Sequence, residues 1–153
     1  MLFIGIDPGL RSGAFASIDH QGSWRSCGDI ATIGDRIDAI KLREDLRLAV
    51  PPGEAAHIVI EDVWVMPKQG SVSSAGFMRA AGAIEAVASL TRWPVTLVRP
   101  QVWKKHFSLI KEPKSSSLAM ARSRWASADL RLSKHHGRAE ALLMALWGRE
   151  VLA

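Results

Sequence analysis

The chain begins with an apolar run, Leu2-Phe3-Ile4-Gly5-Ile6, that meets a carboxylate, Asp7, and is stopped at once by Pro8 and Gly9. The run is short, rich in β-branched and aromatic residues and bounded by turn formers, which predicts a buried central strand. Such a strand commits the chain to a sheet. Asp7 falls at its C-terminal edge, where open α/β sheets gather their ligands. The competing role for Asp7 is to cap the turn that Pro8 and Gly9 make.

Two further strand-like runs, Gly13 to Asp19 and Trp24 to Ile30, flank a hairpin turn at His20-Gln21-Gly22, and complete an antiparallel meander. Asp35 offers an N-cap to a helix carrying Ile37, Ile40, Leu42, Leu46 and Val50, ended by Pro51, Pro52 and Gly53. His57 to Glu61 is a fourth strand, uniformly apolar at its Ile-Val-Ile centre, and it too ends on a carboxylate. A helix over Ser74 to Leu90 sets Phe77, Ala80, Ile84 and Val87 on one face. Pro94 to Val98 supplies a fifth strand, and Pro100 opens a short helix with Trp103 and Lys104. A Lys/Ser-rich connection from Lys111 to Ser117 leads to a helix with Leu118, Ala121 and Trp125 in register, and a last helix from about His136 buries Ala139, Leu142, Leu143 and Leu146. This order predicts an α/β fold: a five-stranded mixed sheet, an antiparallel three-strand meander plus two parallel strands, flanked by helices. With no repeat and no linker, residues 1–153 are expected to form one domain.

Charge narrows the partners. The net charge is +5, and it is regional: Arg99 to Arg138 carries ten Lys or Arg against two acids, Glu112 and Asp129, while the remainder carries ten bases against thirteen acids. A basic surface attracts polyanions, phosphate backbones above all. No stretch approaches the roughly 18 apolar residues of a membrane span, and the lone cysteine, Cys27, has no Cys/His cluster around it. A cytoplasmic protein with no membrane partner is expected.

Carboxylates at adjacent strand ends suit hard divalent cations, which take oxygen ligands and keep positions open for substrate phosphates. If the first and fourth strands are neighbours, Asp7 and Glu61 face each other across one sheet edge. Glu140 interrupts an otherwise apolar helix and offers a third acid, and His136, four residues earlier, shares its face. The alternative for Glu140 is a solvated edge residue or an acid placed for the helix dipole.

The segments Ile4-Gly5-Ile6-Asp7-Pro8-Gly9, Val59-Ile60-Glu61-Asp62-Val63-Trp64 and Arg138-Ala139-Glu140-Ala141-Leu142-Leu143 resemble, in this order, the three signature segments of the RuvC family of Holliday-junction resolvases, which are ribonuclease H-like nucleases. The length and the His-His-Gly-Arg-Ala-Glu-Ala spelling are more similar to bacteriophage members, which work in the cytoplasm of a bacterial host, than to the longer bacterial enzymes. The resemblance implies a homodimer that resolves four-way DNA junctions by paired symmetric nicks, leaving 5′-phosphate and 3′-hydroxyl ends, with its dimer contact on the Ser74 to Leu90 helix.

It also implies a site for two Mg²⁺ or Mn²⁺ ions, with Asp7, Glu61 and Glu140 as ligands and Asp7 bridging. The family usually carries an Asp three or four residues before the last acid, and some members a His; this chain has Gly137 at three and His136 at four. His136 is thus the implied fourth ligand, with His135 competing for the place. Imidazole for carboxylate removes one negative charge and suits Mn²⁺ better than Mg²⁺. Lys104 and Lys114 match family positions of basic residues near the scissile phosphate and complete the implied catalytic set. Trp64 stands where the family carries an aromatic that stacks at the opened junction. Lys68, Lys105, Lys111, Arg122, Arg124 and Arg138 are further candidates for backbone contacts, which position DNA without reading it. Two alternatives differ in outcome: a junction-binding protein with weak or no cleavage, and a ribonuclease H-like nuclease acting on other branched DNA. A strand followed by Asp-x-Gly also opens actin-like ATPases, but those close a second domain over the nucleotide, and 153 residues do not supply one.

Overall fold

The computed structural model describes residues 1–64 and 70–153. Three antiparallel strands come first, β1 (Leu2–Asp7), β2 (Ala14–Asp19) and β3 (Trp24–Asp29). The β2–β3 turn closes because the Gln21 and Ser23 amides both donate to Asp19 Oδ1 at 2.9 Å, and Gly22 takes the left-handed φ of 87° that the turn needs. A small hairpin follows, β4 (Thr32–Ile33) and β5 (Arg36–Ile37), then α1 (Ala39–Leu48), β6 (Ala56–Glu61), α2 (Ser71–Leu90), β7 (Val95–Val98), α3 (Pro100–His106), α4 (Lys114–Arg124), a 3₁₀ turn at Ser133–His135 and α5 (His136–Leu152). The main sheet has the order β3-β2-β1-β6-β7, with β6 parallel to β1 and β7 parallel to β6. It is the predicted five-stranded mixed sheet, with β1 at its centre.

Residue parity divides the core into two. Leu2, Ile4 and Ile6 of β1, with Ala56, Ile58 and Ile60 of β6, pack against Leu42 and Leu46 of α1 and Ala80, Ile84, Val87 and Ala88 of α2. Phe3 and Val59 point the other way, into Trp103, Leu118, Ala121 and the apolar length of α5. Helix α5 lies almost in contact with the sheet backbone. A Cβ on Gly5 would stand 1.8 Å from the Ala141 carbonyl oxygen, and one on Gly148 would stand 2.6 Å from Val59 Cγ2. Small residues at 5, 141, 145 and 148 are what let the helix settle there, and the alternation that turns Gly5 toward α5 turns Asp7 toward it as well.

The structure departs from the expected elements in four places. The helix N-cap is Asp38, whose side chain accepts from the Lys41 amide at 3.0 Å, and not Asp35, because the β4–β5 hairpin consumes residues 32–37 first. Ile37 belongs to that hairpin, and Ile40 faces solvent. Helix α2 begins at Ser71, one turn earlier than expected. Lys114 to Ser117 form the first turn of α4, entered from Pro113, rather than a connection.

Candidate metal centre

Asp7 and Glu61 reach the site for the same reason. The parallel ladder pairs Gly5 with Val59 and Ile6 with Ile60, so its next step sets Asp7 beside Glu61 at the C-terminal edge. Parity turns both toward α5. From that helix Glu140 projects inward and is 5% exposed, an acid surrounded by Ala139, Ala141, Leu142 and Leu143. The N-terminal turn of α5 closes over the group: a Cβ on Gly137 would lie 3.2 Å from Asp7 Oδ2.

Neighbouring negative charges and burial raise the proton affinity of Asp7 and Glu61. The Asp7 carboxyl is held well above its ordinary range, first by burial, then by the charges of Glu140 and Glu61, with Lys114 and Lys104 pulling the other way. Glu61 is raised too, chiefly by burial and also by Glu140, while a hydrogen bond from Trp103 and the two lysines oppose the rise. The cluster is therefore short of positive charge.

Three neighbours fix the acids. The indole Nε1–H of Trp103, a fully buried side chain of α3, donates to Glu61 Oε2 at 2.8 Å. Ser117 Oγ of α4 donates to Glu140 Oε1 at 3.4 Å. Lys104 Nζ stands 3.6 Å from the same Glu140 oxygen and 5.1 Å from the centre of the Trp103 ring. Neither Trp103 nor Ser117 was singled out as a site residue from sequence, since each meets its acid only through long-range packing, over 42 and 23 residues. The signal available was weak: Trp103 precedes Lys104, and Ser117 stands one turn after Lys114.

The remaining predicted positions sort by their partners. His136 opens α5 one turn before Glu140 and is half-buried, whereas His135 is buried, with its Nδ1 accepting from the Leu132 amide at 3.4 Å and its pKa lowered mainly by burial. Trp64 is 70% exposed beyond the end of β6. Lys105, Lys111 and Lys114 are exposed along α3, the α3–α4 connection and the start of α4. Three arginines are engaged within the protein. Arg138 binds Asp29 at 2.7 and 3.0 Å and Asp129 at 2.8 Å; Arg122 donates to the Leu130 and Arg131 carbonyls; Arg124 Nη2 stands 3.7 Å from Glu150 Oε1. Lys68 lies outside the described residues.

Carboxylate oxygens are the donors that Mg²⁺ and Mn²⁺ take, and a cluster short of positive charge is relieved by a cation, so the donor chemistry fits. Among the described residues no three His, Cys, Asp or Glu side chains form a finished coordination cage. Asp7, Glu61 and Glu140 are a facing set, not an assembled sphere.

Sheet order, the two parallel additions and α5 lying across β1 define a ribonuclease H-like fold of the RuvC type. A structure of Thermus thermophilus RuvC in complex with Holliday junction substrate superposes with a TM-score of 0.70 at 18% identity, covering 95% of this chain and 91% of that one. A second Thermus thermophilus RuvC structure gives 0.58 at 17% identity over 98% and 96% of the two chains. No protein-family model and no curated protein sequence matches the chain.

Proposed function

We propose that the chain is a metal-dependent endonuclease that resolves four-way DNA junctions by paired, symmetric nicks. The observation that carries this reading is the convergence of Asp7, Glu61 and Glu140 from β1, β6 and α5, two of them with raised pKa, beside Lys104 and Lys114. Similarity of fold to a protein solved with Holliday junction substrate supports the choice of DNA.

In this reading Asp7, Glu61 and Glu140, with His136 one turn before Glu140, would hold the divalent ions. Divalent ions held there would supply charge neutralisation of the phosphodiester and a water activated for attack on it. The protein's own groups do the positioning. Trp103 keeps one Glu61 oxygen oriented, Ser117 and Lys104 keep one Glu140 oxygen oriented, and Lys104 with the exposed Lys114 binds the phosphate next to the acids. Lys105 and Lys111 extend the basic surface for the duplex arms. Arg138, Arg122 and Arg124 instead hold the protein together through their internal partners.

Two symmetric nicks need two sites, hence a homodimer. The outer face of α2 exposes Ala75, Gly82, Ala86 and Ser89 together with Val72 and Arg79, and in this reading its small residues are the contact with a second copy. One feature favours a junction-binding protein with little cleavage: His136 stands where the family usually carries an Asp. Labelled four-way, forked and flapped DNA incubated with Mg²⁺ or Mn²⁺ separates the readings. Paired nicks in the four-way substrate are expected; intact strands with both metals, under conditions where the junction is bound, would leave only the binding protein, and preferential cutting of forks or flaps would reassign the substrate.

A further inference from the structure

A single row of the sheet runs beneath the first turn of α5. Asp7 of β1 stands opposite Ala14 of β2, and Ala14 stands opposite Asp29 of β3. Residues directly opposite one another in antiparallel strands share a face, so all three turn toward α5. For the middle one this is explicit, since a Cβ on Gly137 would lie 3.4 Å from Ala14 Cβ. The row ends on the edge strand at Asp29, two strand spacings or about 10 Å from Asp7.

Arg138 grips that end. Its guanidinium donates to both Asp29 oxygens, from Nε at 2.7 Å and from Nη2 at 3.0 Å, and its Nη1 donates to Asp129 Oδ2 at 2.8 Å and to the Asp129 carbonyl at 3.2 Å. The side chain is 14% exposed, and its hydrogen bonds are the main reason that the Asp29 carboxyl lies below its ordinary range. Asp129 belongs to the connection between α4 and α5, whose next two carbonyls, Leu130 and Arg131, accept from Arg122. One arginine thus joins the first turn of α5, the segment leading into it and the far end of the Asp7 row. Apolar burial alone does not set this alignment, because it is non-directional. A forked guanidinium bonded to two carboxylates is directional. Glu140 lies two residues beyond Arg138, so a shift of this turn along the row displaces Glu140 relative to Asp7 and Glu61. Misplacement of a reacting group by about 1 Å costs on the order of 100-fold.

We infer that Arg138 is a positioning residue: by clamping the first turn of α5 to Asp29 and Asp129 it sets how Glu140 faces Asp7 and Glu61, and with it the affinity of the three acids for a divalent cation. The inference rests on the metal-dependent reading above. Its test is calorimetric titration of the metal-free protein with Mn²⁺, with melting temperature and metal-free junction binding measured alongside. Arg138→Ala and Asp29→Asn are each expected to raise the Mn²⁺ dissociation constant roughly tenfold, the lower end of what outer-shell changes cost a metal site, and to leave junction binding at the wild-type level. The two variants are chosen for their signs. Charge alone would tighten Mn²⁺ binding in Arg138→Ala, which loses a cation, and weaken it in Asp29→Asn, which loses an anion. Opposite shifts, or wild-type affinity in either folded variant, would overturn the inference. So would an equal loss in Arg149→Ala, which removes the bond from α5 to the His20 carbonyl more than two turns beyond Glu140. If Arg138→Ala does not fold, Arg138→Lys keeps the charge and loses the fork: a weaker Mn²⁺ site is again expected, and wild-type affinity overturns the inference. Weakened junction binding with unchanged Mn²⁺ affinity would return Arg138 to the DNA. A wild type that binds no Mn²⁺ removes the metal-dependent reading and this one together, whereas a wild type that binds Mn²⁺ and cuts no junction removes only the cleavage.

Discussion

Gly137 and Asp7 are in contact across the α5–sheet interface: a Cβ on Gly137 would lie 3.2 Å from Asp7 Oδ2 and 2.6 Å from the Ser12 carbonyl oxygen. The start of α5 is thus seated on the loop that follows Asp7, and no side chain fits between them. Intrinsic helix propensity favours Ala over Gly by about 1 kcal/mol. The contact with a backbone carbonyl is the larger effect, since forcing atoms into a packed interior costs roughly 1–3 kcal/mol. Gly137→Ala should therefore lower the urea midpoint and weaken nicking. A midpoint equal to wild type would mean that the loop from Pro8 to Gly13 yields freely.

Asp7→Asn is predicted to abolish cleavage and to leave junction binding intact, because the basic surface is untouched. It should also stabilise the metal-free protein at neutral pH, since it removes a buried charge that Glu140 and Glu61 repel. Mn²⁺ should raise the wild-type melting temperature much more than that of Asp7→Asn. Loss of junction binding in a folded Asp7→Asn protein would make Asp7 a structural residue.

The pH dependence of stability has a defined sign. Asp7 and Glu61 have ordinary values of 3.8 and 4.5 and are raised in the folded protein, so above those values the native state holds protons that the unfolded chain releases. Stability therefore falls as pH rises from there through the folded pKa values. Asp19, Asp29 and Asp129 are lowered, and their contributions disappear only below 3.8, outside this window. As pH rises above 4.5 the urea midpoint of the metal-free wild type should lose ground to that of Asp7→Asn, while His57 and His135, whose lowered pKa values add stability as pH rises toward 6.5, act alike in both proteins. Parallel curves for the two proteins would contradict the assigned cause.

Trp103 holds Glu61 through a single indole hydrogen bond, from a ring that is buried in the apolar core. Trp103→Phe keeps an aromatic ring and deletes the donor, which costs about 1–3 kcal/mol when the acceptor stays buried. Because that bond lowers the Glu61 pKa, its loss should also move the acid limb of the pH–rate profile upward. A rate loss with no shift of the limb would assign Trp103 to packing alone.

His136→Asp should remain active and work better with Mg²⁺ than the wild type does, since it restores a hard oxygen ligand at the same helical position. Metal-dependence curves for nicking test this directly. A folded but inactive variant would give the imidazole a role that a carboxylate does not fill.

Much of this architecture was legible in local pattern. An apolar run ended by Asp7, a second ended by Glu61 and an acid inside an apolar helix identify three elements and three acids, because strand alternation and helical periodicity are properties of neighbouring residues. That the sheet is mixed followed from the connections, whereas the adjacency of β1 and β6 that brings Asp7 to Glu61 is given by the tertiary structure. Tertiary structure decided what each side chain meets. It drew Arg138, which sequence offered to DNA, into Asp29 and Asp129, and it brought Trp103 to Glu61 and Ser117 to Glu140. It also formed the β4–β5 hairpin that moved the helix cap from Asp35 to Asp38. These pairings depend on crossovers that set distant segments side by side, whereas the acids that end the strands are written within a few residues of the strands themselves.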